Sequence, residues 1–253
     1  MEKKSPLKAK PLRLPGQSVQ DDIDKLLDDH LMPNVMVTMF LVVLSFYNWW
    51  VFISKKIPNP IITTTIAIMG LGYTTWKVIR GRRKLNLLRM GRDGERAVAQ
   101  FLDRLRVEGY HLLHDIVGEG FNIDHVAIGP SGVYTIETKT ISKPANGEPK
   151  IQYNGEFLLL NGFKPDRNPI IQAKAQCSWL KNLLKDSTGK QPPVQPVVVY
   201  PGWFIEGPKG MRPDVWVLNP KALPAFLENA PKRISLEDQK LYNFHLSRFI
   251  RTT

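Results

Sequence analysis

Three residues in one short stretch could do chemistry together: Asp124, Glu137 and Lys139. They lie in Phe121–Lys139, FNIDHVAIGPSGVYTIETK, which reads as two short strands around a turn. If Gly129-Pro130-Ser131-Gly132 closes the hairpin symmetrically, Asp124 falls directly opposite Glu137. Side-chain alternation then puts Asp124, Glu137 and Lys139 on one face. Phe121, Ile123, Tyr134 and Ile136 share the other, an apolar face for a core. A three-residue loop with Gly132 as a bulge is the alternative, and it would need a compensating bulge. Two carboxylates facing each other repel, so this register asks for a cation between them or solvent around them. Mg²⁺ takes hard oxygen ligands and keeps several waters, so two carboxylates plus a substrate phosphate suit it. Lys139 could orient or deprotonate an attacking water, or neutralise charge at the phosphate. The competing reading is a solvated polar face of a half-exposed sheet, since an Asp and an E-x-K are common on strands.

The elements that must position these residues belong to an α/β pattern from Met90 onward. Gly91-Arg92-Asp93-Gly94-Glu95 is expected to open a helix with Ala97, Val98, Phe101, Leu102 and Leu105 on one face, ended by Gly109. Tyr110 to Ile116 reads as a strand, and Ile151 to Leu160, with Asn154-Gly155 inside it, as a further hairpin. Asn168-Pro169 starts a long helix through Ile170, Ala173, Cys177, Leu180 and Leu184. Val194 to Tyr200 is a continuous apolar run suited to a buried strand, and Asp214 to Leu218 is another strand. Residues 221–229 and 235–250 read as helices, the second opened by the capping signal Ser235-Leu236-Glu237-Asp238.

The front of the chain has a different character. Residues 1–34 form a polar tail, read as disordered over 1–20. The acidic stretch DDIDKLLDDHL (21–31) carries Ile23, Leu26, Leu27 and Leu31 at helical spacing. That stretch could lie on a membrane or on the C-terminal domain, or be a solvated acidic face. Residues 35–53 contain no charge, and 19 residues of helix span roughly 28 Å, close to the hydrocarbon thickness. Tyr47, Trp49 and Trp50 cluster at one end as an interfacial belt would. A second uncharged run, Ile57 to Trp76, follows the link Ser54-Lys55-Lys56. It is rich in Thr and has Pro58 and Pro60 at its start. The expectation is a two-span transmembrane hairpin over residues 35–79, a basic juxtamembrane collar over 80–89 and a domain over 90–253. Lys77, Arg80, Arg82, Arg83, Lys84, Arg89 and Arg92 follow the second run, against Lys55 and Lys56 in the link. Both termini are therefore expected in the cytoplasm, as at a bacterial inner membrane.

The net charge is +12, and it is unevenly spread. Residues 1–34 are balanced, whereas residues 80–253 carry 26 Lys/Arg against 17 Asp/Glu. Polyanions are the natural partners: nucleic acid, and anionic lipid at the collar. One Cys excludes an intrachain disulfide, and five scattered His give no zinc spacing. His125 should point to the face opposite Asp124; His111 and His114 read as packing or surface residues, and Cys177 as core.

The ordered set GRDGE (91–95), NIDHVAIGPSGVYTIETK (122–139) and NPIIQAKAQ (168–176) resembles the nuclease-related domain family (NERD), of the PD-(D/E)xK phosphodiesterase superfamily. The resemblance covers roughly residues 90–205. It implies a restriction-endonuclease-like α/β core with a central mixed sheet flanked by helices. It also implies Asp124 and Glu137 as metal ligands, Lys139 as the catalytic lysine, Glu95 as a further acidic member and Gln172 at the border of the site. Read by themselves, Glu95 could be a first-turn acid favoured by a helix dipole, and Gln172 an exposed helix residue. Two functions follow. One is a membrane-anchored nuclease using Mg²⁺ or Mn²⁺ on DNA, endonucleolytic in preference to exonucleolytic. The other is a non-catalytic membrane tether that binds nucleic acid or protein with the same fold.

Overall fold

The hairpin sits inside a sheet rather than at a surface because its residues are apolar on both faces. In a computed structural model, described over residues 10–55, 60–144, 148–165, 167–208 and 213–252, all seven residues of its second strand are buried. The strands are β1 (His111–Val117), β2 (Asn122–Gly129), β3 (Gly132–Thr138), β4 (Lys150–Tyr153), β5 (Leu158–Leu160), β6 (Val194–Val199), β7 (Phe204–Glu206) and β8 (Trp216–Leu218). The main sheet has the order β1-β2-β3-β6-β8. β1, β2 and β3 run antiparallel, and β3, β6 and β8 parallel, so the sheet is mixed. Gly129 pairs with Gly132, and the symmetric closure holds. β5, β4 and β7 form a second small sheet, of which β7 had no signal in the sequence.

Helices cover both faces of the main sheet. α4 (Pro169–Thr188) and α6 (Leu236–Thr252) bury Leu180, Leu184, Tyr242 and Leu246 against Leu113, Ile116, Val126 and Ile128. On the other face Val98, Leu102, Leu105 and the short α5 (Leu223–Glu228) pack on Leu112, Ala127, Tyr134, Ile136 and Val197. Each such side chain contributes about 1.5–3 kcal/mol on burial, so the sheet around the hairpin is stiff. The expected common face of Phe121, Ile123, Tyr134 and Ile136 is not what forms. Phe121 and Ile123 join the α4–α6 side, while Tyr134 and Ile136 join the opposite cluster. Ile123 and Val126, three residues apart, fall in the same cluster, so alternation slips by one across Asp124-His125. β1 slips at the matching place, between Leu113 and Ile116.

The chain divides into two units, Val19–Met90 and Met1–Ser18 with Gly91–Thr253. The first unit contains α1 (Gln17–Lys25) from Val19 onward, a π-helical segment (Leu26–Leu31), α2 (Met32–Ile53) and α3 (Ile61–Leu102) up to Met90. Ile23 and Leu26 are buried against Leu85 and Leu88 of α3. The acidic stretch therefore packs its apolar face on helix residues within the basic collar. α2 and α3 run antiparallel along a seam of hydroxyls: Thr38 with Thr74 (2.5 Å) and Ser45 with Thr64 (2.9 Å). Gly70 faces Leu41 and Thr38 in the same seam. Outside it, Met36, Phe40, Phe46, Trp50 and Ile53 are exposed. One helix among the described residues, Gln17–Ile53, is long and apolar enough to cross a membrane by length and composition. Thr and Gly dilute the second run, and α3 does not reach that mark. Lys56, Ile57 and Pro58 lie outside the described residues.

Two further expectations change. Gly91–Glu95 does not open a helix, because α3 is continuous from Ile61 to Leu102. Two glycines in a helix cost only about 1 kcal/mol each, which its other residues absorb. The tail read as disordered over 1–20 is ordered from Lys10 among the described residues, and part of it packs beside the site.

Candidate active site

The ladder between β2 and β3 ends one step before the carboxylates. His125 pairs with Ile136, and the next step would bring Asp124 opposite Glu137. There the strands part, and the Thr138 N–H donates to Asp124 Oδ2 at 2.7 Å. On the other side of β2, Asp115 would oppose Asp124, but it leaves the β1 ladder in a left-handed conformation (φ 52°). Asp is one of the few residues that tolerates this backbone. β3 meanwhile stays paired to β6, and the Lys139 N–H donates to Val199 O at 2.9 Å. One edge of β3 is thus held and the other released. The opening lies at the carboxyl ends of parallel strands, where α/β sheets place ligands.

α4 supplies the partners of Glu137. Asn168 caps this helix, its Oδ1 accepting from Ile170 N at 3.0 Å, which sets the phase of every later residue. Gln172 and Gln176, one turn apart, then face the same carboxylate. Glu137 Oε1 accepts from Lys139 Nζ (2.7 Å) and Gln172 Nε2 (2.7 Å). Lys139 Nζ donates in turn to Gln172 Oε1 at 2.8 Å, which closes a triangle of side chains. Glu137 Oε2 accepts from Gln176 Nε2 at 2.6 Å, and the same amide donates to Asn122 O at 2.7 Å. Glu137 is 4% exposed, so these donors replace its water.

Glu95 arrives from the other side, on α3. Its neighbour Gly94 permits this: a Cβ there would overlap the Thr140 side chain, just beyond Lys139. Glu95 is interior to the helix, so a helix dipole does not explain it. The Gly16 backbone N–H bonds its carboxylate. Gly16 has φ +68° and lies against the Arg92 backbone, where a side chain would crowd. Arg13 anchors the same strap through its Nε to Asp115 Oδ2 (2.5 Å), which also accepts from Ser18 N (3.0 Å). Asp115 is 2% exposed, so Arg13 compensates a buried charge.

The acids perturb one another. Burial, then the charges of Asp115 and Glu137, push the Glu95 carboxyl up to about 7 against the pull of the Gly16 N–H and Lys139. Burial, then Glu137 and Glu95, push Asp124 well above the usual carboxylate range, opposed by the Thr138 N–H and Lys139. Negative charge at this place is undercompensated by the protein's own cations. Asp124 Oδ1 receives no hydrogen bond from a described residue. Glu137 takes three donors on the roughly four positions a carboxylate offers. Among the described residues no three His, Cys, Asp or Glu group closely enough to cage a metal ion. The donor set is therefore two strand carboxylates, Asp124 and Glu137, hard oxygen ligands whose chemistry suits Mg²⁺ or Mn²⁺ completed by other oxygen ligands better than a dedicated all-protein cage.

All five residues singled out in the sequence meet here: Asp124, Glu137 and Lys139 on the hairpin, Gln172 on α4 and Glu95 on α3. Sequence reasoning missed Gln176, whose signal was its spacing of four from Gln172. It also missed Arg13, Gly16 and Asp115, for which no local pattern exists. His125 is fully buried, and its Nδ1 shares a hydrogen bond with His114 Nδ1 at 2.9 Å. Burial keeps both imidazoles neutral, His114 falling to about 4.

Residues 90–201 match the family model NERD, the nuclease-related domain. The match contains the hairpin, Glu95, Gln172 and Gln176, and the chain carries a nuclease-related domain over that span. Neither a curated protein nor a solved structure matches the chain.

Proposed function

From a nuclease-related domain over residues 90–201, we propose a membrane-anchored nuclease that hydrolyses DNA phosphodiester bonds with a divalent cation, Mg²⁺ or Mn²⁺. The observation that carries this reading is the convergence of Asp124, Glu137, Lys139, Gln172 and Glu95 at the parted end of β3. When bound at Asp124 and Glu137, the ion would activate a water and stabilise charge on the phosphate. Gln172 and Gln176 hold the Glu137 carboxylate in one orientation. Lys139, paired with Glu137 and aimed by Gln172, neutralises a phosphate oxygen or relays a proton at Nζ. Glu95 can keep a proton near neutral pH and give it up beside the water. Basic residues outside the site, such as Lys143, Lys150, Lys164, Arg167 and Lys174, would meet the backbone without reading sequence.

The exposed apolar face of α2 supports the anchor. The hydroxyl and glycine seam is the kind of packing that joins helices in lipid, and it supports α3 as a second span. The excess of Lys and Arg after that span favours a cytoplasmic domain and termini, with the collar on anionic lipid.

The three donors that already occupy Glu137, from Lys139, Gln172 and Gln176, favour a second reading, a non-catalytic binding module at the membrane. Plasmid cleavage by the full chain in detergent, with Mg²⁺ or Mn²⁺, separates the two. The nuclease reading expects cutting that Asp124→Ala and Lys139→Ala abolish. Binding without cutting, or variants that cut as well as the parent, would leave the second reading.

A further inference from the structure

Beside the site runs a groove of about 1340 Å³ that the chemistry of the carboxylates does not use. It follows the edge strand β8 from Gln195, near the start of β6, to Trp203 and Lys143, near the end of the sheet where the carboxylates lie. Trp203 ties its upper end to the site, donating Nε1–H to Ile141 O at 3.3 Å, two residues beyond Lys139. Its walls carry aromatic rings that the core leaves uncovered. Phe204 is 62% and Phe226 45% exposed, and half-buried Trp216 stacks edge-on to Phe226 at 5.5 Å. Among the described residues that line it, the charges are Lys143, Lys221 and Arg233, all exposed, against one acid, Asp214, which pairs with Lys174 at 2.8 Å.

Aromatic faces and positive charge in one groove suit a polyanion whose bases are free to stack. A duplex keeps its bases paired inside, so it can meet the lysines but not Trp216 or Phe226. An acidic peptide would use the cations but has no need of successive flat faces. We propose that this groove binds single-stranded nucleic acid and leads the strand to the carboxylates at the end of β3. The inference rests on the nuclease reading for its direction, but not for binding itself.

The test is fluorescence anisotropy of labelled oligothymidylate, oligouridylate and a duplex of equal length, with the full chain in detergent and EDTA present. Without divalent cation nothing is cut, so binding is measured apart from catalysis. Single strands should bind at least about 10-fold tighter than duplex. Phe226→Ala and Phe204→Ala, both exposed positions, should each weaken them by about 5- to 150-fold. Arg233→Glu should weaken them and flatten the salt dependence, since one phosphate contact is lost. The thymidylate and uridylate arms decide between DNA and RNA as the strand. Equal affinity for duplex, or single-strand binding indifferent to all three substitutions, overturns the proposal. Tight, variant-sensitive binding by a protein that never cuts would overturn only the nuclease reading.

Discussion

Replacing Arg13 with alanine should destabilise the nuclease-related domain from a distance of 102 residues in sequence. Asp115 is 2% exposed, and Arg13, 25% exposed, is its cationic partner. Breaking a buried ion pair by deleting one member costs about 3–5 kcal/mol, because the other charge is left without solvent. Arg13 keeps some water and Asp115 keeps the Ser18 N–H, so a loss of about 2–3 kcal/mol is expected. The loss should be specific to charge. Asp115→Asn in the Arg13→Ala background removes the stranded carboxylate and should recover more than half of it. Because the strap also brings the Gly16 N–H to Glu95, Arg13→Ala should lower any cleavage activity by more than its unfolded fraction accounts for. The assay is denaturant unfolding of the full chain in detergent, followed by the signal of the domain, beside the cleavage rate under folding conditions. An Arg13→Ala protein within about 0.5 kcal/mol of the parent, the range of an ordinary surface substitution, would refute the reasoning. So would a double variant no better than the single one. A fragment beginning at residue 90 lacks the strap and should show the same weakness.

Gly94→Ala should cost about 1–3 kcal/mol, as overpacking does, and Thr140→Gly should relieve it; unfolding midpoints of the three proteins check this. Gln176→Ala strips the donor from Glu137 Oε2 and should reduce metal affinity or cleavage about 10- to 100-fold, read by Mn²⁺ titration and plasmid assay. Glu95 makes stability fall as pH rises. Its folded value of about 7 lies above the 4.5 of a free glutamate, so the folded state holds the proton longer. Stability is then greatest below pH 4.5 and is lost between 4.5 and about 7. Glu95→Gln should remove up to about 3 kcal/mol of that difference, and equal slopes for parent and variant from about pH 5 to about pH 8 would count against the shift.

Much of the fold was legible because its determinants are local. Period-two alternation and the Gly129–Gly132 turn set the register of β2 on β3, and Asn168-Pro169 marked the start of α4. β7 was not legible, since three residues with one face exposed carry too little pattern. The helix start at Gly91 was misjudged because Gly94 reads as a helix breaker locally. Its actual role is to admit Thr140, 46 positions away, which no window of sequence contains. The shared apolar face of Phe121 and Tyr134 failed for a related reason. Alternation assumes a regular ladder, and the ladder slips where Asp115 turns left-handed.

By itself the sequence determined a hairpin register that sets Asp124 opposite Glu137, with Lys139 beyond, and that an uncharged helix would precede the domain. Those are matters of spacing, turn residues and hydrophobic period, all acting over a few residues. Tertiary structure decided what surrounds the carboxylates. It opened β2 from β3 while β6 held the other edge. It turned Gln172 and Gln176 onto Glu137, and it brought Glu95 under a strap from the start of the chain. Those outcomes depend on which distant segments pack closely enough to exclude water, and only there do the burial and mutual repulsion that shift Asp124 and Glu95 arise.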